Sequence, residues 1–83
     1  MNVQYIEELV ARIKRAKKQE LEYSEEIKHN YAVIMNDLQI SDSIVTKNIE
    51  SRYKEIDRLF QFKQRQIEIQ ELTEKELKRE LGL

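Results

Sequence analysis

Proline is absent from this chain, and its single glycine is Gly82. Between residues 3 and 81 no residue removes a backbone donor or releases the backbone into turn conformations, so nothing compels a helix to stop. Charged residues make up 37% of the sequence, well above the roughly 25% of an average domain. They are mostly Glu, Lys and Arg, which are good helix formers. So much charge also fits disorder, but Ile recurs ten times at regular spacing. That is more apolar content than a disordered segment carries. The chain reads as all-α.

Eighty-three residues make a single domain whose folding buries only about 60% of the surface of the unfolded chain. Small chains compensate with disulfides, a metal, very regular helix packing or association. Cysteine is absent and His29 is the only histidine, so disulfides, thiolate sites and a conventional zinc site are excluded. No cofactor is expected. Fifteen basic and sixteen acidic residues nearly cancel, which leaves no overall field to steer the chain toward nucleic acid or an anionic membrane. No apolar run is long enough for a transmembrane span or a signal peptide, so the cytoplasm is the expected compartment.

Hydrophobic spacing predicts a first helix over residues 3–38. Val3, Ile6, Val10, Ile13, Ile27, Tyr31, Ile34 and Leu38 fall on a and d positions of one heptad frame. Lys17, Glu20 and Ser24 interrupt that stripe, with Leu21 beside it. Ser24 is also a residue able to cap a new helix. A turn is expected over 39–43, where Ser41, Asp42 and Ser43 favour caps and turns. Ile40 and Val45 suit a hydrophobic staple across it.

The second helix is expected over 44–72, through Val45, Ile49, Ile56, Leu59 and Phe60. Its stripe weakens at Lys63, Gln64 and Gln66. Thr73 and Glu76 then form a capping box, with Leu72 and Leu77 at staple positions. Residues 74–81 are therefore either a short third helix or a continuation of the second, ended by Gly82 as a C′ glycine.

Folding the chain about residue 41 brings residues face to face when their numbers sum to about 82 or 83. Ile34 then meets Ile49, Ile27 meets Ile56, Leu21 meets Phe60 and Ile13 meets Ile69. Val10 meets Leu72, Ile6 meets Leu77 and Val3 meets Leu81. The polar gaps coincide, with Lys17 and Glu20 opposite Lys63 and Gln66. The basic run Arg12, Lys14, Arg15, Lys17 and Lys18 lies across from Glu68 and Glu71, and Glu20, Glu22, Glu25 and Glu26 lie across from Lys54, Arg58 and Lys63. Complementary charges of this kind select register more than they add stability. The expected fold is an antiparallel, coiled-coil-like helical hairpin.

One seam cannot take in Tyr5, Leu9, Tyr23, Val33, Tyr53, Leu59 and Phe62 together. Surplus apolar surface on a helix usually marks a partner. A second copy closing a four-helix bundle is the simplest cover, which makes the chain an expected homodimer. Tyr23, Tyr31, Tyr53, Phe60 and Phe62 are the expected partner-binding residues, because aromatics are enriched at interface cores.

Other constellations are weaker. Carboxylates are abundant but lie on solvated helix faces, whereas acid–base catalysis needs a shielded pair with separated pKa values. Glu26 and His29 have the Glu-x-x-His spacing of di-metal bundles, but only one such pair exists. No enzyme activity is expected. Arg12, Lys14, Arg15, Lys17 and Lys18 form a basic run able to grip phosphates. It lacks interleaved aromatics and sits among Glu8, Glu20 and Glu22.

The ending Leu72-Thr73-Glu74-Lys75-Glu76-Leu77-Lys78-Arg79-Glu80-Leu81-Gly82-Leu83 resembles the first helix and turn of helix-turn-helix DNA-binding domains. The resemblance covers twelve residues and the recognition helix is not in the sequence, so the segment reads as a capped helix. Tyr53 and Asp57 have a Tyr-x-x-x-Asp spacing similar to that of the small secreted WXG-type proteins. Those carry Trp-x-Gly in the turn, and this chain has no Trp. The spacing reads as coincidence.

The expected function is a protein–protein interaction module that lays an amphipathic helix face against a partner. Its size suits an adaptor, inhibitor or regulator of the kind phages and mobile elements encode. The alternatives are a nucleic-acid-associated regulator using the Arg12–Lys18 run, and a structural homo-oligomer.

Overall fold

The computed structural model describes residues 2–40 and 45–83, with side chains placed outside residues 40 and 45–47. Two helices, α1 (Val3–Ile40) and α2 (Val45–Leu81), pack along each other as a hairpin in a rod of 63 × 16 × 14 Å. The turn assigned to 39–43 differs at its start, because α1 continues through Ile40. The capping roles of Ser41, Asp42 and Ser43 and the Ile40–Val45 staple lie outside the described residues.

Both ends of the rod carry local stop signals. The Asn2 side-chain carbonyl accepts the Tyr5 amide at 3.1 Å, satisfying an amide that the first turn leaves free. At the other end Gly82 adopts φ +75°. Its amide donates to the Arg79 carbonyl, and that of Leu83 to the Lys78 carbonyl at 2.8 Å. This is a Schellman closure, whose left-handed residue is strained for any side chain bearing a Cβ.

Neither helix breaks where its sequence offered a cap. The Ser24 hydroxyl donates to the Glu20 carbonyl at 2.9 Å, so α1 is not divided there. Thr73 donates to the Ile69 carbonyl at 2.6 Å and is buried. A residue bonded back to position i−4 lies inside a helix and does not start one. The capping box at Thr73–Glu76 is not used, and no separate third helix forms over 74–81.

Burial sets the phase of each helix. In α1 an unbroken three-four alternation of covered positions runs Ile6, Leu9, Ile13, Ala16, Glu20, Tyr23, Ile27, Asn30, Ile34 and Asp37, with Tyr5, Val10, Ser24 and Val33 half-buried beside it. The line Ile6–Ile13–Glu20–Ile27–Ile34 is the expected one. Its companion differs by one residue. Leu9, Ala16, Tyr23, Asn30 and Asp37 turn inward, whereas Lys17, Tyr31 and Leu38 are exposed. In α2 the same alternation runs Ile49, Arg52, Ile56, Leu59, Lys63, Gln66, Gln70, Thr73, Leu77 and Glu80. Sustained 3.5-residue spacing on both helices is coiled-coil geometry.

The apolar centre is Ile27, Ile34, Ile56 and Leu59, with Tyr23 and Ile49 packed against it. Burying each of these aliphatic side chains contributes about 1.5–3 kcal/mol. A second buried point is Leu9, which has no exposed surface. The expected pairings Ile34–Ile49 and Ile27–Ile56 lie in this core. Leu21–Phe60, Val10–Leu72 and Val3–Leu81 do not close the seam, since Leu21, Phe60, Leu72, Val3 and Leu81 are all exposed.

Among the described residues the polar cross-helix links are hydrogen bonds, not the expected ion pairs. Tyr5 donates to Glu76, Arg52 to Asn30 at 3.1 Å and Gln70 to Glu20 at 2.8 Å. The first two lie close to the expected register. Glu20 and Gln70 sit about two turns apart, yet every helical side chain leans toward its own N-terminus. In antiparallel helices these two lean toward each other, and small Ala16 leaves room between them. Among the described residues the ion pairs are Lys28–Glu25 and Arg58–Glu55, both within one helix.

Candidate interaction surface

With the seam at heptad positions a and d, the two flanks of the rod differ in chemistry. An antiparallel pair brings the g positions of both helices to one flank and the e positions to the other.

The g flank is tied across the hairpin. Tyr5 reaches Glu76 there. The Tyr23 ring leans out of the seam onto Phe62, with centroids 5.7 Å apart. Arg58 covers Phe62 from outside, its guanidinium 5.4 Å from the ring centroid. Glu55 holds that guanidinium by two hydrogen bonds of 2.6 and 3.0 Å. These bonds, with the Glu55 charge behind them, raise the Arg58 pKa above its ordinary value. An open groove of about 520 Å³ beside Asn30, Val33, Asp37 and Arg52 is lined mainly by polar groups.

The e flank carries most of the exposed apolar side chains. Val3, Val10, Tyr31 and Leu38 occupy e positions of α1, with Leu21 and Met35 beside them at b positions. Tyr53, Phe60, Ile67 and Leu81 occupy the e positions of α2. All are exposed except Val10 and Ile67, which are half-buried; Leu21 is 66% exposed and Met35 57%. The spacing of seven on both antiparallel helices lays these side chains along one side of the rod, interrupted by Lys17 and Ser24 on α1 and by Glu74 on α2.

The five expected partner-binding aromatics therefore separate. Tyr31, Tyr53 and Phe60 share the apolar flank. Tyr23 is half-buried in the seam, and Phe62 lies on the opposite flank under Arg58. Leu21, Met35 and Leu38 join the strip without having been singled out. Their signal was the recurrence of apolar residues at e and b positions, which becomes readable only after the a/d phase is known.

The basic run also separates. Arg12 and Arg15 point to the g flank, Lys14 and Lys17 to the e flank, and Lys18 to the outer face; all five are exposed. Five cations distributed around a helix make no continuous track for a phosphate backbone. Glu26 and His29 are exposed on the g-flank side of α1. Among the described residues no group of three His, Cys, Asp or Glu stands close enough to hold a metal ion. Neither described helix is long and apolar enough to cross a membrane.

These features define a two-helix antiparallel hairpin with one internally cross-linked flank and one apolar flank. No protein family matches the chain, and neither does any curated protein or solved structure.

Proposed function

We propose that this chain is a non-enzymatic protein–protein interaction module that acts through its apolar e flank, as an adaptor, inhibitor or regulator in the cytoplasm. One observation carries the reading. Most exposed apolar side chains gather on the e flank, while the aromatic contact, the cation–π contact and the Tyr5–Glu76 bond gather on the other. A solvated surface would gain from the reverse distribution, and exposed contiguous apolar strips mark contact sites.

A photo-crosslinking residue placed at Tyr53 tests the reading in the native host, with the same residue at Arg65 on the opposite flank as control. Protein adducts are expected at position 53 and not at 65. Equal adduct yield at both positions, or none at 53, would remove the apolar flank as the contact surface.

A further inference from the structure

Resting on that reading, we propose that the apolar flank is covered by a second copy of this chain. The two rods lie parallel with their Ile40/Val45 ends together, and α1 of each copy packs on α2 of the other.

Size is the first argument. The side of the rod that bears this flank, 63 Å by about 16 Å, has a projected area of about 1,000 Å² per copy. A stable interface needs about 800 Å² from each partner. The same hairpin matches a strip of this length from end to end by construction.

Charge is the second argument, and it chooses the arrangement. The outer edge of the flank on α1 carries Glu7, Lys14 and Lys28 at b positions, together with Leu21 and Met35. The outer edge on α2 carries Glu50, Asp57, Glu71 and Lys78 at the matching positions. A two-fold axis parallel to the rod keeps every residue at its own level and sets α1 against α2 of the second copy. The register that joins Tyr5 to Glu76 and Asn30 to Arg52 then places Lys14 beside Glu71 of the second copy. Lys28 comes beside its Asp57, and Glu7 beside its Lys78. Each pair is of opposite charge, and Leu21 and Met35 face Gln64 and Glu50.

A two-fold axis across the rod would instead set α1 on α1 and α2 on α2. Lys14 would then face Lys28 and Asp57 would face Glu71, two repulsive pairs set against one favourable pair, Glu50 with Lys78. Within one hairpin these two edges lie on far sides of the flank, so they do not satisfy each other. Among the described residues the one ion pair or side-chain hydrogen bond made by these groups is Lys28 with Glu25 at 3.5 Å, in which both side chains are nearly three-quarters exposed.

Sedimentation equilibrium of the full chain across micromolar concentrations should give twice the 10.1 kDa monomer mass. Lys14→Glu with Lys28→Glu should weaken the dimer at least ten-fold, since each altered pair occurs twice. Adding Asp57→Lys and Glu71→Lys should restore it. A spin label at Gln39→Cys should give an inter-copy distance within the bundle width, about 20–25 Å; the crossed-axis dimer would give a distance near the 63 Å rod length. Tyr53→Glu with Phe60→Glu should yield a monomer that remains helical by circular dichroism.

A wild-type monomer throughout, a long label distance, or charge reversal without effect each overturns the proposal. A monomer that still forms adducts to another protein from position 53 removes the second copy and leaves the interaction module standing. A monomer with no adducts removes both.

Discussion

Asn30 Oδ1 accepts a hydrogen bond from Arg52 Nη1 at 3.1 Å within the seam between α1 and α2. Asn30 is 6% exposed, and its amide nitrogen donates to the Glu26 carbonyl at 2.8 Å. The polar layer lies between Ile27 and Ile34, where an apolar residue would add more stability. A buried Asn in a coiled coil fixes register at a cost in stability. Sliding α2 by one turn would leave Asn30 facing Ile49 or Ile56 with its oxygen unpaired.

Asn30→Leu should therefore raise the thermal midpoint while loosening the register. The readout is the two-dimensional amide NMR spectrum, which should change from one set of peaks to several. A single sharp set with unaltered dispersion would mean that the apolar layers hold register without Asn30.

Ile56→Ala and Ile34→Ala should each destabilise the hairpin by about 2–4 kcal/mol, because they open a cavity in its central cluster. Leu72→Ala, at a side chain 66% exposed on the g flank, should stay within about 0.5 kcal/mol of wild type. Urea unfolding at fixed protein concentration measures all three. Similar losses at Leu72 and Ile56 would contradict the burial pattern.

Thr73→Val removes the hydroxyl while keeping the shape of a buried side chain. The hydroxyl bonds only to the helix's own Ile69 carbonyl, whose acceptor role the ladder also supplies. Stability should be unchanged or slightly higher. An N-cap Thr would instead lose about 1–2 kcal/mol on losing its oxygen, and a loss of that size would indicate a helix start at Thr73.

Gly82→Ala should lower stability by about 1 kcal/mol, from forcing a Cβ into the left-handed region. The effect belongs to the last turn. Hydrogen exchange of the Leu83 and Gly82 amides should accelerate while the Ile27–Ile56 region keeps its protection.

The absence of proline, the lone glycine at position 82, the turn residues Ser41 to Ser43 and the isoleucines that pair about residue 41 point from sequence alone to two long helices folded back on each other. They also give one line of the seam, Ile6 to Ile34, because its isoleucines allow no better phase. The companion line was not legible. Val10, Tyr31 and Leu38 are as apolar as Leu9 and Tyr23, so the hydrophobic arc of α1 is too wide for periodicity to choose between adjacent positions. The same ambiguity made Thr73 read as a cap, since its side chain suits a helix start as well as a polar seam.

Tertiary structure made both choices. Leu9, Ala16, Tyr23, Asn30 and Asp37 turn inward because those positions close on α2, where Asn30 meets Arg52 and Thr73 fits the seam. Once that line is inside, Tyr31 and Leu38 are left outside beside Met35, in line with Tyr53 and Phe60. Sequence shows that apolar surface is in excess. Only the packing of one helix on the other decides which flank carries it.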